Sequence, residues 1–193
     1  MITVPDATPY PWPYDGAVEP GALALVVCGA DGTASGRDEA IEASILELRR
    51  SAARVGAGVL VILHSLSTNR MADGALAQPA GALSALPGET TVRAAGHDGF
   101  YGSSLDAVLR RSGTTHLLLA GMGLETFVHS TLRSANDRGY ECLTVRDACT
   151  AVDERWRAAA ISTIELSGGI FGAVGTTGAV LAALDTTTQE VTP

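Results

Sequence analysis

Continuous apolar runs alternate with helical patterns along nearly the whole chain, and that alternation limits the fold more than any other feature. "ALALVVC" (Ala22 to Cys28) is uninterrupted and β-branched toward its end, as a strand covered on both faces would be. In the stretch after it, Ile41, Ile45, Leu48, Ala52 and Val55 recur at helical spacing. Acidic residues open this stretch, arginines close it, and Gly56 supplies a left-handed terminus. "GVLVILH" (Gly58 to His64) is a second buried strand and "TTVRA" a third.

"SSLDAVLRRSG" is a short helix and "THLLLAG" (Thr115 to Gly121) a fourth strand. Glu125 to Arg138 forms a helix with Val128, Leu132 and Ala135 on one face, stopping at Gly139. "YECLTVRD" is a fifth strand, "DERWRAAAISTIELSG" a helix, "GIFGAVG" a sixth strand and "TTGAVLAAL" a closing helix. The segment between the second and third strands, "LSTNRMADGALAQPAGALSALPGE", is loop-like, although its Ala/Leu spacing permits a short helix. The pattern predicts an α/β fold of three layers: a mostly parallel six-stranded sheet with helices on both faces and right-handed crossovers. Residues 1–21 form a lead-in arm, 22–185 a single domain, and 186–193 a frayed tail.

Composition narrows the function classes. A net charge of −8 argues against nucleic acid, which needs clustered cations. All 13 basic residues are arginine, and the chain contains no lysine. The N-terminus lacks a basic region followed by an apolar one, and no apolar run reaches the ~18 residues of a membrane span. A cytoplasmic protein without membrane contact is expected. Cys28, Cys142 and Cys149 lie in or beside apolar strands and read as reduced, buried thiols.

In such a sheet, ligands gather beyond the carboxyl ends of the strands, where strand order reverses. The tips fall near Gly29 to Asp31, His64 to Ser67, Arg93 to Phe100 and Gly121 to Phe127. A dinucleotide site is disfavoured there. "GMG" is not continued to a third glycine, because Thr126 stands in its place, and Glu125 puts negative charge where a pyrophosphate would sit. His64, His97, His116 and His129 are not paired at metal-ligand spacing, so neither a metal nor another cofactor is expected. A nucleophile at the start of the helix after the fourth strand would be activated by the helix dipole, but Phe127 stands there. Thr126 and Ser130 flank it, and His129 points about 100° away from its chain neighbours.

These residues resemble the isochorismatase-like cysteine hydrolases, in the branch that includes biuret and ureidoacrylate amidohydrolases. The resemblance rests on "ATPYPWPYDG" with "EPGALALVV", on "FYGSSLDAVLRRSGTTHLLLAG", on "HSTLRSANDRGYECLTVRDACTA" and on "GGIFGAV". It implies the same three-layer fold. It also implies an Asp, a Lys and a Cys at positions that Gly29, Ala94 and Phe127 occupy here, and an oxyanion-hole threonine matched by Leu124. A one-residue shift that put Cys28 in the Asp position would turn its side chain to the other sheet face. Shifting Asp31 there keeps the face but moves the group about 6–7 Å along the strand.

The expectation is therefore a non-catalytic homologue. It would be a subunit of a homo-oligomer, a partner in a hetero-oligomer with an active paralogue, or a small-molecule binder. Its vestigial pocket would comprise Asp31, His64, Arg93, His97, Phe100, Met122, Gly123 and Thr126. The alternative is a divergent hydrolase of C–N bonds that uses Asp31, His64 or His97 as general base on a bound water.

Overall fold

A computed structural model describes residues 1–30, 38–64, 85–166, 168 and 171–189. Six parallel strands form one sheet in the order β3-β2-β1-β4-β5-β6. They are β1 (Leu23–Ala30), β2 (Gly58–His64), β3 (Thr90–Ala94), β4 (His116–Gly121), β5 (Glu141–Cys149) and β6 (Ala173–Gly175). The order runs outward from β1 in one direction and from β4 in the other, so the switch point lies between those two strands.

The helices divide between the faces. α1 (Glu39–Val55) and α5 (Thr177–Gln189) cover one side; α2 (Leu105–Arg111), α3 (His129–Asp137) and α4 (Arg157–Leu166) cover the other. α1 follows the sequence expectation closely. Asp38 caps it by accepting from the Ala40 and Ile41 amides, and Gly56 closes it with φ 82°. Ile41, Ile45, Leu48 and Ala52 are buried, each of the larger ones contributing about 1.5–3 kcal/mol by leaving water. Arg49, on the same helix, is buried too, because Glu89 takes its guanidinium in a two-pronged ion pair (Nε to Oε1 2.8 Å).

The lead-in arm is part of the core. Ile2, Val4 and Trp12 are wholly buried on the α1 side, and Thr8 bridges Val174 at the β6 edge of the sheet.

Three elements differ from the sequence expectation. β6 begins only at Ala173; Phe171 instead lies in a turn under the Arg133 guanidinium, 4.9 Å above its ring. The helix expected from Glu125 opens as a wide turn over Leu124–Val128, because the Gly123 carbonyl accepts from Val128 N at 3.0 Å, five residues on. α5 runs on to Gln189, past the expected end of the closing helix, and the buried Thr187 hydroxyl donates to the Met1 carbonyl; residues 190–193 lie outside the described residues. No helix among the described residues is long and apolar enough to cross a membrane.

Candidate functional site

At the switch point, the β4 tip turns through Met122 and Gly123 into the wide turn that starts α3. Gly123 is held at φ 67°, and a Cβ there would stand 2.3 Å from Thr126 Oγ1 and 2.8 Å from Phe127 Cδ2. Only glycine fits so tight a turn without strain, and the turn drives Phe127 inward. The Phe127 ring is 5 % exposed and sits between two imidazoles. Its centroid lies 4.7 Å from His64 in a tilted contact and 4.8 Å from His97 in an edge-on one. The helix start thus presents a packed hydrocarbon ring to the strand tips.

His64 ends β2 and is wholly buried. Its Nδ1 lies 3.0 Å from the Gly96 carbonyl. A carbonyl only accepts, so Nδ1 carries the proton and Nε2 a lone pair. Among the described residues, that Nε2 is buried without a hydrogen-bond partner. Burial pushes the imidazole down to about 4, with the Gly96 hydrogen bond opposing the shift, so the ring is neutral at pH 7. His97 is exposed, on the loop that follows β3.

That loop is fastened to α3. Asp98 accepts from Phe100 N and from the Ser134 hydroxyl, both at 2.9 Å, and Gly99 N donates to Thr131 Oγ1 at 2.9 Å. Phe127, Thr131 and Ser134 lie four and three residues apart, on one helix face. The spacing is visible in the sequence; that the face meets the 96–99 loop is not, because the contact joins residues 32 and 36 positions apart. Glu125 was expected to repel a pyrophosphate; its Oε1 instead accepts from Asp153 N at 2.7 Å, joining the helix start to the segment after β5.

The expected pocket residues are only partly brought together. His64, His97 and Phe127 converge, with Ala94 buried in the same side-chain cluster and Met122 packed against it. Thr126 turns its hydroxyl back toward the Gly123 carbonyl, at 3.4 Å. Phe100 faces elsewhere: its ring stacks on Tyr140 with centroids 6.0 Å apart, and the Arg138 guanidinium lies 4.6 Å above it. Arg93 is exposed and registers with Gly29 and Leu63, whereas His64 registers with Ala30 and Ala94. Leu63 packs on the α1 side, so Gly29 belongs to the row of opposite parity from Phe127 and Ala94. Cys28 lies on the Phe127 side, beneath α3, with its thiol 3.9 Å from Thr131 Oγ1. The one-residue shift to Cys28 is therefore the shift that matches the face. Burial pushes this thiol up to about 12, so it is no thiolate at neutral pH. Asp31 lies outside the described residues.

The Gly123–Leu124 bond is trans; cis bonds among the described residues are Thr8–Pro9 and Trp12–Pro13. His116 is at the opposite end of the sheet, 3.3 Å from Glu141, and His129 is half-buried at the start of α3. Among the described residues, no three His, Cys, Asp or Glu side chains come together as a metal would need.

Residues 26–177 match the sequence model of the isochorismatase domain. Over 92 residues, 47% of its length, the chain is 36% identical to the ureidoacrylate amidohydrolase of Caulobacter segnis. The matched segments span between 25% and 37% of the ureidoacrylate amidohydrolases concerned. In three dimensions the chain resembles a cysteine hydrolase from Pseudomonas syringae pv. phaseolicola, with TM-score 0.74, 19% identity, and coverage of 88% of this chain and 95% of that one. It also resembles N-carbamoylsarcosine amidase from Thermoplasma acidophilum, with TM-score 0.64, 21% identity, and coverage of 80% and 96%.

Proposed function

Because the chain belongs to the isochorismatase family, we propose that it is a non-catalytic homologue of the family's amide hydrolases. It serves as an oligomer subunit, with its own kind or with an active paralogue, or as a holder of a small molecule in the cytoplasm. The observation that carries this reading is the Phe127 ring, packed between His64 and His97 at the start of the helix. A phenyl ring has neither a lone pair to attack a carbonyl nor a proton to give. Around it, the Cys28 thiol is held protonated by burial. No lysine exists to shuttle protons, and a guanidinium does not exchange them near neutral pH.

The test is hydrolysis. Incubated with ureidoacrylate, biuret, nicotinamide and simple amides, the purified protein releases no ammonia above the buffer rate. Any turnover above that rate overturns the reading, and Cys28→Ala and Arg93→Ala then show whether those groups carry it.

A second reading, a divergent C–N hydrolase, draws on one observation: the buried Nε2 of His64 keeps a free lone pair and stays neutral at pH 7, as a general base must. His97 stands beside it across Phe127 as the other candidate base. On this reading turnover is present in the wild type and drops at least about 100-fold in His64→Gln or His97→Gln.

A further inference from the structure

We propose that Cys28 and Cys149 hold one copper(I) ion between them, as a buried two-thiolate site on the sheet face that carries α2, α3 and α4. Cys28 registers with Gly121, and Gly121 with Cys149, so the two cysteines stand in one row across β1, β4 and β5. Both are wholly buried in the same side-chain cluster. The row exists because β5 bulges: it advances five residues from Thr144 to Cys149 while β4 advances two, from Leu119 to Gly121. Without the bulge, Arg146 would stand opposite Gly121. A Cβ on Gly121 would lie 2.1 Å from the Cys28 carbonyl oxygen, so no side chain separates the two cysteines within the row.

Distance decides what can join them. Neighbouring strands lie about 4.8 Å apart, which sets the two Cα atoms about 9–10 Å apart, beyond the ~7 Å limit of a disulfide. Two cysteine side chains leaning together span about 4–5 Å of that, leaving about 5 Å between the sulfurs. This is about twice a metal–thiolate bond of ~2.3 Å. A metal ion fits where a disulfide cannot.

Chemistry selects the ion. No group of three His, Cys, Asp or Glu side chains forms among the described residues, so an ion that asks for three or more ligands is not served. Thiolates select soft ions, and copper(I) is satisfied by two of them on a line. On loading, two S–H bonds break, two S–Cu bonds form, two protons leave to solvent and no electron moves. The product carries one net negative charge. Arg157, which also pairs with Glu154, donates to the Cys149 carbonyl at 3.0 Å and brings a guanidinium to offset that charge. Burial first, and the charge of Cys28 second, push the Cys149 thiol up, so the two groups are within electrostatic reach. Their present partners are weakly held ones: Cys28 lies 3.9 Å from Thr131 Oγ1, and Cys149 donates to the Val145 carbonyl at 3.2 Å.

Competition for copper(I) against bicinchoninate tests this without reference to turnover. Under anaerobic ascorbate, overnight incubation with wild-type protein should withdraw one copper(I) per chain and raise a thiolate-to-metal band in the ultraviolet. Cys28→Ala and, separately, Cys149→Ala weaken binding more than about 100-fold. Cys142→Ala, equally buried but bonded to the Tyr140 carbonyl near the start of β5, leaves it unchanged. Copper X-ray absorption on the loaded wild type, which depends on no variant folding, should count two sulfur neighbours and nothing else. No copper withdrawn overturns the inference. So do binding that survives either Cys28→Ala or Cys149→Ala, binding lost with Cys142→Ala, or a third ligand at the copper.

Discussion

At the scale of single residues, His64 is the group whose burial has a measurable consequence. Its folded value lies near 4, below the ordinary 6.5, so between those two values the unfolded chain binds a proton that the native chain does not. Stability from this residue is therefore complete above about pH 6.5 and is lost as pH falls toward about 4, by on the order of 1 kcal/mol per pH unit. His64→Phe removes that slope. Urea unfolding of wild type and variant across this range should give a difference that shrinks on acidification; a constant difference contradicts a buried neutral imidazole. The sequence already placed His64, His97 and Phe127 at neighbouring strand tips, because apolar runs end where strands end. It did not place Cys28 and Gly29 on their faces. Side-chain parity depends on where a strand enters the ladder, and a fully buried strand such as "ALALVVC" has no polar alternation to mark it.

At the scale of elements, β2 and β3 match the expected spans residue for residue, and α1 differs only at its ends. These segments have clear caps or unbroken apolar runs. The misjudged ones depend on distant partners: the wide turn before α3 on a glycine carbonyl, and the last turn of α5 on Thr187 reaching Met1. The Arg49–Glu89 pair is another such long-range tie, joining α1 to the residue before β3, with both side chains nearly or wholly out of water (0% and 7% exposed). Glu89 also accepts from Leu86 N at 2.7 Å, so it orders that approach to the strand. Arg49→Met strands a buried carboxylate and should cost about 3–5 kcal/mol in equilibrium unfolding. Adding Glu89→Leu should recover most of that loss. Costs that simply add would show that the two groups act independently.

At the scale of the whole molecule, the fold is that of a hydrolase family, and among the described residues the lead-in arm and the last turn of α5 are both fastened to the body. The feature on which the proposed reading rests is local: an aromatic ring built into the core at the mouth of the sheet, held there by the Gly123 turn and flanked by two imidazoles. A scaffold can keep its assembly surfaces while its reaction centre is filled, because the two are held by different residues. The equilibrium-unfolding cost of Phe127→Ala is the most direct measure of whether that ring fills the space. A ring packed as described should cost about 3 kcal/mol or more on truncation. A cost below about 0.5 kcal/mol, the range of an ordinary surface change, would mean that the ring stands out in solvent and the centre is open.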